Sequence, residues 1–392
     1  MAMTWTGADC VAAEPGLLRH SRIGLLTNYT GTMADLTRTS KALIDAGVPI
    51  TALLSPEHGL NGSVQAGETE DSDFDPVTRL PVLNTYLKTG EALDQLIAGH
   101  DIDTIVFDMQ DVGARTFTYV SSMYDALQCA SRLGLKFVVL DRPNPLGGRV
   151  TEGPNLDEDF HSFVGRTDIR LRHGLTVGEL ARLIVSRDLA AQGLHVDLDV
   201  VAMKNWDPAG DWDATGLPWV PPSPNVPTVD AGYAFCGTVL FEGTNVSEGR
   251  GTTHPFEELG APWIDGRLAE YMRGLRLPGV MFRDTWFVPT FHKYAGIGLR
   301  GVQVHITDRM SFKPVTTALS MIDALAELYP RDFVFLAPRD DSDFRGKYTI
   351  DVLWGSDSLR KAVQSGTGAL TLEYDPGFTS NQYDSTVLLY AR

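Results

Sequence analysis

The chain predicts an α/β protein: a domain built on a parallel sheet, followed by a second, smaller α/β domain. Three observations predict this. Over the first two-thirds of the 392 residues, short apolar runs alternate with helical signals, the pattern of consecutive βαβ units. Several of those runs end in Asp, Asn, Glu or His, and the carboxyl ends of strands are where open parallel sheets bind ligands. After Pro262 the texture changes and a new set of elements begins.

Taken in order, Arg22 to Thr27 reads as a strand, Ala34 to Ala46 as a helix and Ile50 to Leu54 as a buried strand. Glu91 to Ala98 reads as a helix, Thr104 to Phe107 as a strand, Phe117 to Leu133 as a long helix and Lys136 to Leu140 as a strand. Val177 to Leu189 is a further helix and Val196 to Val201 a further strand. The segment Asn205 to Tyr233 carries Trp206, Trp212, Trp219 and five prolines between Pro218 and Pro227. Proline removes donors and disfavours helix, so a long ordered loop is expected there. Phe235 to Phe241 then returns as a strand. The second domain offers a helix at Leu268 to Leu275, a strand at Gly301 to Thr307, a helix at Val315 to Leu328 and a closing strand at Thr386 to Tyr390. The boundary is placed near Gly260, giving a domain over 1–260 and another over 261–392.

Composition excludes several classes. Charged residues make up 21% and hydrophobic residues 43%, a globular balance with enough apolar material for a large core. The net charge of −17 repels nucleic acid and anionic membrane surfaces, so neither is expected as a partner. An anionic ligand needs a local cluster of Arg to overcome that field. The three cysteines, Cys10, Cys129 and Cys236, lie far apart and suit neither a disulfide framework nor a zinc site. No apolar run approaches the roughly 20 residues of a membrane span. Met1 to Gly16 has no basic segment followed by an apolar one. As written the chain reads as cytoplasmic; a chain whose leader had been removed would read the same.

The polar strand ends are where chemistry is sought. Thr27 leads into Asn28, Leu54 into Glu57 and His58, Phe107 into Asp108, Gln110 and Asp111, Leu140 into Asp141, Arg142 and Asn144, and Phe241 into Glu242 and Asn245. Each is also what a turn or helix cap would use. Together, on parallel strands, they would share one rim. No phosphate loop, dinucleotide fingerprint, GxSxG elbow or HExxH motif occurs, and Gly366-Thr367-Gly368 reads as a turn. No cofactor and no metal site is therefore expected, although Glu57, Asp108 and Asp111 leave room for a water-bridged Mg²⁺. Carboxylates remain, and they suit glycoside hydrolysis. That reaction needs a carboxylic acid to protonate the leaving oxygen. It also needs either a second anion or the substrate's own 2-acetamido group to support the oxocarbenium-like state. Trp206, Trp212, Trp219, Tyr119 and Tyr233 are candidate platforms for sugar rings.

Longer motifs carry a family resemblance. Gly24-Leu25-Leu26-Thr27-Asn28, Ser55-Pro56-Glu57-His58-Gly59, Asp111-Val112-Gly113-Ala114-Arg115 and Asp141-Arg142-Pro143-Asn144-Pro145 resemble those of the bacterial exo-β-N-acetylmuramidases, the NamZ-like glycosidases. So do Pro222-Ser223-Pro224-Asn225, the run from Phe241 to Gly251, Pro255-Phe256-Glu257 and Gly260-Ala261-Pro262-Trp263. The resemblance spans nearly the whole chain. Asn61 departs from the basic residue expected after Glu-His-Gly-Leu.

The resemblance implies a Rossmann-like catalytic domain and a smaller auxiliary domain, with the active site between them. It implies release of terminal N-acetylmuramic acid from peptidoglycan fragments such as MurNAc-GlcNAc, in cell-wall turnover. Such a substrate carries a lactyl carboxylate, which Arg forks match; Arg115, Arg142 and Arg250 each stand in a rim motif. Glu57 is the expected general acid, tuned or oriented by His58. The second role stays open: the substrate acetamido group, oriented by Asp111, Tyr119 or Asn144, or else Glu242 or Glu248 as nucleophile or base. Substrate contacts are expected from Asn28, Arg115, Asp141, Arg142, Asn144, Glu242, Asn245, Glu248 and Arg250. Two alternatives are a non-catalytic muropeptide binder in the same cleft and a metal-dependent hydrolase of another linkage.

Overall fold

The computed structural model describes residues 2–18, 21–65, 68, 73–338, 344–372 and 383–392. Six strands form a parallel sheet: β1 (Ile23–Thr27), β2 (Ile50–Ser55), β3 (Val82–Asn84), β4 (Thr104–Asp108), β5 (Lys136–Leu140) and β6 (Asp197–Val201). Their order is β3-β2-β1-β4-β5-β6, with every pairing parallel. This is the order of a Rossmann sheet.

Because side chains alternate across a strand, the apolar strands feed two separate cores. Ile23 and Leu25 of β1, Val106 of β4, and Val138 and Leu140 of β5 face a smaller core. It is closed by α1 (Gly7–Ala13) and α2 (Thr39–Asp45). Leu26, Ile105, Phe107, Phe137 and Val139 face the larger core. There they meet α3 (Gly90–Ala98), α4 (Tyr119–Leu133) and α5 (Val177–Leu183). Thr6 and Thr176 cap α1 and α5, each answered by an acid three residues on, which satisfies backbone donors at both helix starts. Gly7 has no room for a Cβ: one would lie 2.5 Å from the Asp141 nitrogen and 2.6 Å from the Val201 carbonyl oxygen. Helix α1 therefore begins flush against the carboxyl ends of β5 and β6.

The second sheet is antiparallel, in the order β7-β9-β8, from β7 (Glu258–Ala261), β8 (Val280–Phe287) and β9 (Leu299–Ile306). Helix α7 (Arg267–Leu275) packs on β8 and β9, α8 (Pro314–Leu328) packs on α7, and α9 (Thr349–Trp354) and α10 (Ser358–Gln364) follow. The larger core is continuous from the parallel sheet into this region: Phe107 and Phe137 belong to the same cluster as Val302, Leu319 and Trp354.

Two expected strands are absent. Phe235 to Phe241 is not a strand: it lies in α6 (Val229–Thr238) and the 3₁₀ turn Val239–Gly243 that follows. Nine of the ten residues of α6 are buried, so it carries no polar face to mark it as a helix. Thr386 to Tyr390 is not a strand either. It runs irregularly back over the parallel sheet, where the Tyr390 hydroxyl donates to Asp141. The helix expected over 34–46 starts only at Thr39. The place proposed for the domain boundary, Gly260, lies within β7.

Candidate active site

Strand β2 delivers Glu57. After Ser55 the chain turns through two consecutive left-handed residues, His58 at φ 68° and Gly59 at φ 73°. Glycine takes that conformation freely; histidine is held there by its surroundings. The ring Nδ1 lies 2.9 Å from the Val64 carbonyl, so it is the nitrogen that carries hydrogen. Burial pushes the His58 pKa below its ordinary value, against the pull of Glu57. The ring is therefore neutral at neutral pH. Glu57 itself is almost wholly buried. Tyr86, just past β3, donates its hydroxyl to Oε1 at 3.2 Å. Thr118, at the start of α4, donates to Oε2 at 2.5 Å.

Glu57 and His58 open into a cavity of about 130 Å³. Its other polar lining comes from Thr116, Thr118, Ser223, Glu242 and Arg250, and its apolar lining includes Phe117, Phe235, Phe256 and Leu353. The segment after α6 thus closes the cavity opposite β2. Arg250 sits between two carboxylates, 2.6 Å from Glu242 and 3.5 Å from Glu248, with its guanidinium 4.9 Å from the Phe256 ring centre. Glu248 is fully buried and also takes Lys293 at 3.0 Å and His292 at 3.1 Å. Burial alone would raise its pKa, but Lys293, His292 and Arg250 prevail and hold it down to about 2. Lys293 further donates to the carbonyls of Phe241 and Val246, and Tyr294 donates to that of Asn245. The β8–β9 connection therefore pins the segment that carries Glu242 and Arg250.

The remaining expected residues go elsewhere. Arg142 makes a buried two-pronged pair with Asp108, at 2.6 and 2.9 Å, and donates to the Thr32 carbonyl. Asp141 accepts from Thr176, from the Gly178 backbone and from Tyr390; burial pushes it up to about 7. Asn144 bonds the backbone of Leu146 and Leu175, and Asn28 bonds Thr30. Asp111 accepts from the Gly113 backbone and lies 3.6 Å from the buried His173. Arg115 donates to the carbonyls of Pro154, Ile169, Leu353 and Trp354, joining the two regions of the chain rather than lining the cavity. Asn245 bonds the backbone of Asp332 and Val334. The Tyr119 hydroxyl donates to the Pro222 carbonyl, 2.6 Å away. Of the expected residues, Glu57, His58, Glu242 and Arg250 line the cavity.

The two halves of the chain match two family descriptions: residues 23–230 that of "Exo-beta-N-acetylmuramidase NamZ, N-terminal", and residues 233–386 its "C-terminal" counterpart. The chain belongs to the NamZ exo-β-N-acetylmuramidase family. It is 41% identical over 390 residues to the peptidoglycan β-N-acetylmuramidase NamZ of Bacillus subtilis (strain 168), covering 99% of this chain and 89% of that one. Two crystal structures of DUF1343 family proteins from Bacteroides fragilis NCTC 9343 share the fold. One is 32% identical with a TM-score of 0.82, covering 93% of this chain and 92% of the other. The second is 26% identical with a TM-score of 0.69, covering 94% and 93%.

In this NamZ-family chain the aromatic platforms expected for sugar lie apart from the Glu57 cavity. Trp212 and Trp219 stack edge to face on each other, and Trp206 packs on Tyr390. The rings that do line the cavity belong to Phe117, Phe235 and Phe256. The residues that sequence reasoning missed are Tyr86 and Thr118, which hold Glu57. A lone hydroxyl carries no sequence pattern, so nothing in the chain marks them. Asn61, where a basic residue was expected, receives the Arg38 guanidinium at 2.7 Å.

Proposed function

We propose that this chain is an exo-β-N-acetylmuramidase that releases a terminal β-linked N-acetylmuramic acid from peptidoglycan fragments, with Glu57 as the general acid. The observation that carries the reading is one cavity, in a NamZ-family fold, that holds a nearly buried carboxyl group beside an arginine. Glu57, held at both oxygens by Tyr86 and Thr118, would be aimed at the glycosidic oxygen and protonate it as the bond breaks. Neutral His58 fixes the turn that presents it. Arg250 would face the lactyl carboxylate, since Arg115 and Arg142 have their guanidinium groups committed elsewhere.

The second role falls to the substrate. Glu248 is buried in its ion cluster, and Glu242 is tied to Arg250, which weakens either one as a nucleophile. The substrate's 2-acetamido oxygen would then attack the anomeric carbon, and water would open the resulting ring. Two displacements retain configuration. Time-resolved NMR of MurNAc-GlcNAc cleavage should therefore show the β-anomer of N-acetylmuramic acid first; an initial α-anomer would eliminate this route.

Glu57→Gln, assayed on a chromogenic β-N-acetylmuraminide, should lower turnover by about 10²–10⁴-fold, the usual worth of general acid assistance. Turnover near that of the parent enzyme would remove Glu57 from the role. Sugar release from a defined disaccharide separates a hydrolase from a muropeptide binder, which gives none.

A further inference from the structure

The two carboxylates that hold Arg250 are not equally free to leave it. Glu248 is fully buried and anchored by Lys293 and His292 as well as by Arg250. Glu242 has a side chain 25% exposed, lines the cavity and is ion-paired to Arg250 at 2.6 Å. Two carboxylates, Glu242 and Glu248, stand here against two permanent cations, Arg250 and Lys293. Lys293 is spent on Glu248 and two carbonyls. An incoming carboxylate therefore finds no uncommitted cation among the described residues lining the cavity. It can gain one by exchange.

We propose that Glu242 is a placeholder for the carboxylate of the substrate. On binding, the substrate takes the Arg250 guanidinium from Glu242, which turns to solvent, while Glu248 keeps the guanidinium in place. This rests on reading the cavity as an N-acetylmuramic acid site, and it makes Glu242 a determinant of specificity. A neutral sugar such as N-acetylglucosamine cannot displace Glu242, so the exchange selects for the lactyl acid. The exchange gives the guanidinium a new carboxylate in place of the old one, and the Glu242 side chain, a quarter exposed, has a path to solvent.

The test is isothermal titration of N-acetylmuramic acid and of N-acetylglucosamine into the parent protein, Glu242→Gln and Glu242→Ala. Removing the placeholder should tighten binding of the acid sugar by roughly three- to tenfold, leave the neutral sugar unchanged, and give a gain that shrinks with added salt. Unchanged or weaker binding of the acid sugar to both variants would overturn the proposal, as would an equal gain for both sugars. If the parent protein binds and releases N-acetylmuramic acid but the variants show no gain, the placeholder alone fails. If the parent neither binds the acid sugar nor cleaves MurNAc-GlcNAc, the reading of the cavity fails with it.

Discussion

The carboxyl ends of β4 and β5 and the carboxyl end of β2 belong to one sheet edge, yet they use their polar residues in opposite ways. At β4 and β5 the groups satisfy one another: Arg142 grips Asp108, while Asp141 collects Thr176, Gly178 and Tyr390. Helix α1 closes over that end, where Gly7 admits no side chain. At β2 the polar groups face a cavity shared with Glu242 and Arg250. In a Rossmann sheet, the crevice where the strand order reverses is the usual ligand site; here that point lies between β1 and β4. There Asp108, at the strand end, is taken up by Arg142, while the loop that leaves β4 carries Thr116 and Thr118 across to the cavity beside β2. Position on the sheet edge nominates a residue for chemistry; whether its hydrogen bonds are already spent decides the matter.

The comparison breaks most sharply on a pair of variants. Glu57→Gln should combine the large loss of turnover described above with a midpoint of denaturation close to the parent's. Arg142→Met should do the reverse. It leaves Asp108 as an unpaired buried charge, and breaking such a pair costs about 3–5 kcal/mol. Urea denaturation should show that loss, while KM for the disaccharide stays near the parent value at temperatures where the variant is folded. A stable Arg142→Met protein with a raised KM would mean that this end of the sheet does meet substrate.

Much of this was legible in the chain. The parallel sheet could be read because β1, β2, β4 and β5 are short, apolar and bounded by turn residues. Glu57 stood out because Pro56 and Gly59 flank it at a strand end. The failures have physical causes. Helix α6 is buried on nearly all sides, and an apolar run without a polar face has no period to distinguish helix from strand. Strand β8 went unread because its exposed and buried positions change phase near Asp284, which breaks simple alternation. The candidate list for the site was too long for a different reason. A turn residue and a catalytic residue at a strand end look alike until their partners are known. Tyr390 and Thr176, which occupy Asp141, lie 249 and 35 residues away from it.

The smallest effect tests the same contrast through pH. Glu248 is held down to about 2 from 4.5, because Lys293, His292 and Arg250 outweigh burial. Asp141 is pushed up to about 7 from 3.8, chiefly by burial. The signs are opposite. The folded state binds fewer protons than the unfolded chain at Glu248, so its contribution is complete above pH 4.5 and lost as pH falls toward 2. At Asp141 the folded state binds more, so the contribution is complete below pH 3.8 and lost as pH rises through about 7. Glu248→Gln should therefore flatten the acid side of the stability profile, and Asp141→Asn the side between pH 4 and 7. Thermal melts across pH 3 to 8 read both slopes, taken as differences from the parent protein. If Asp141→Asn instead left the slope between pH 4 and 7 unchanged and flattened the profile below pH 4, Asp141 would be an ionised partner like Glu248. The β5 end would then hold a charge ready for a ligand, and the distinction between the two ends of the sheet would disappear.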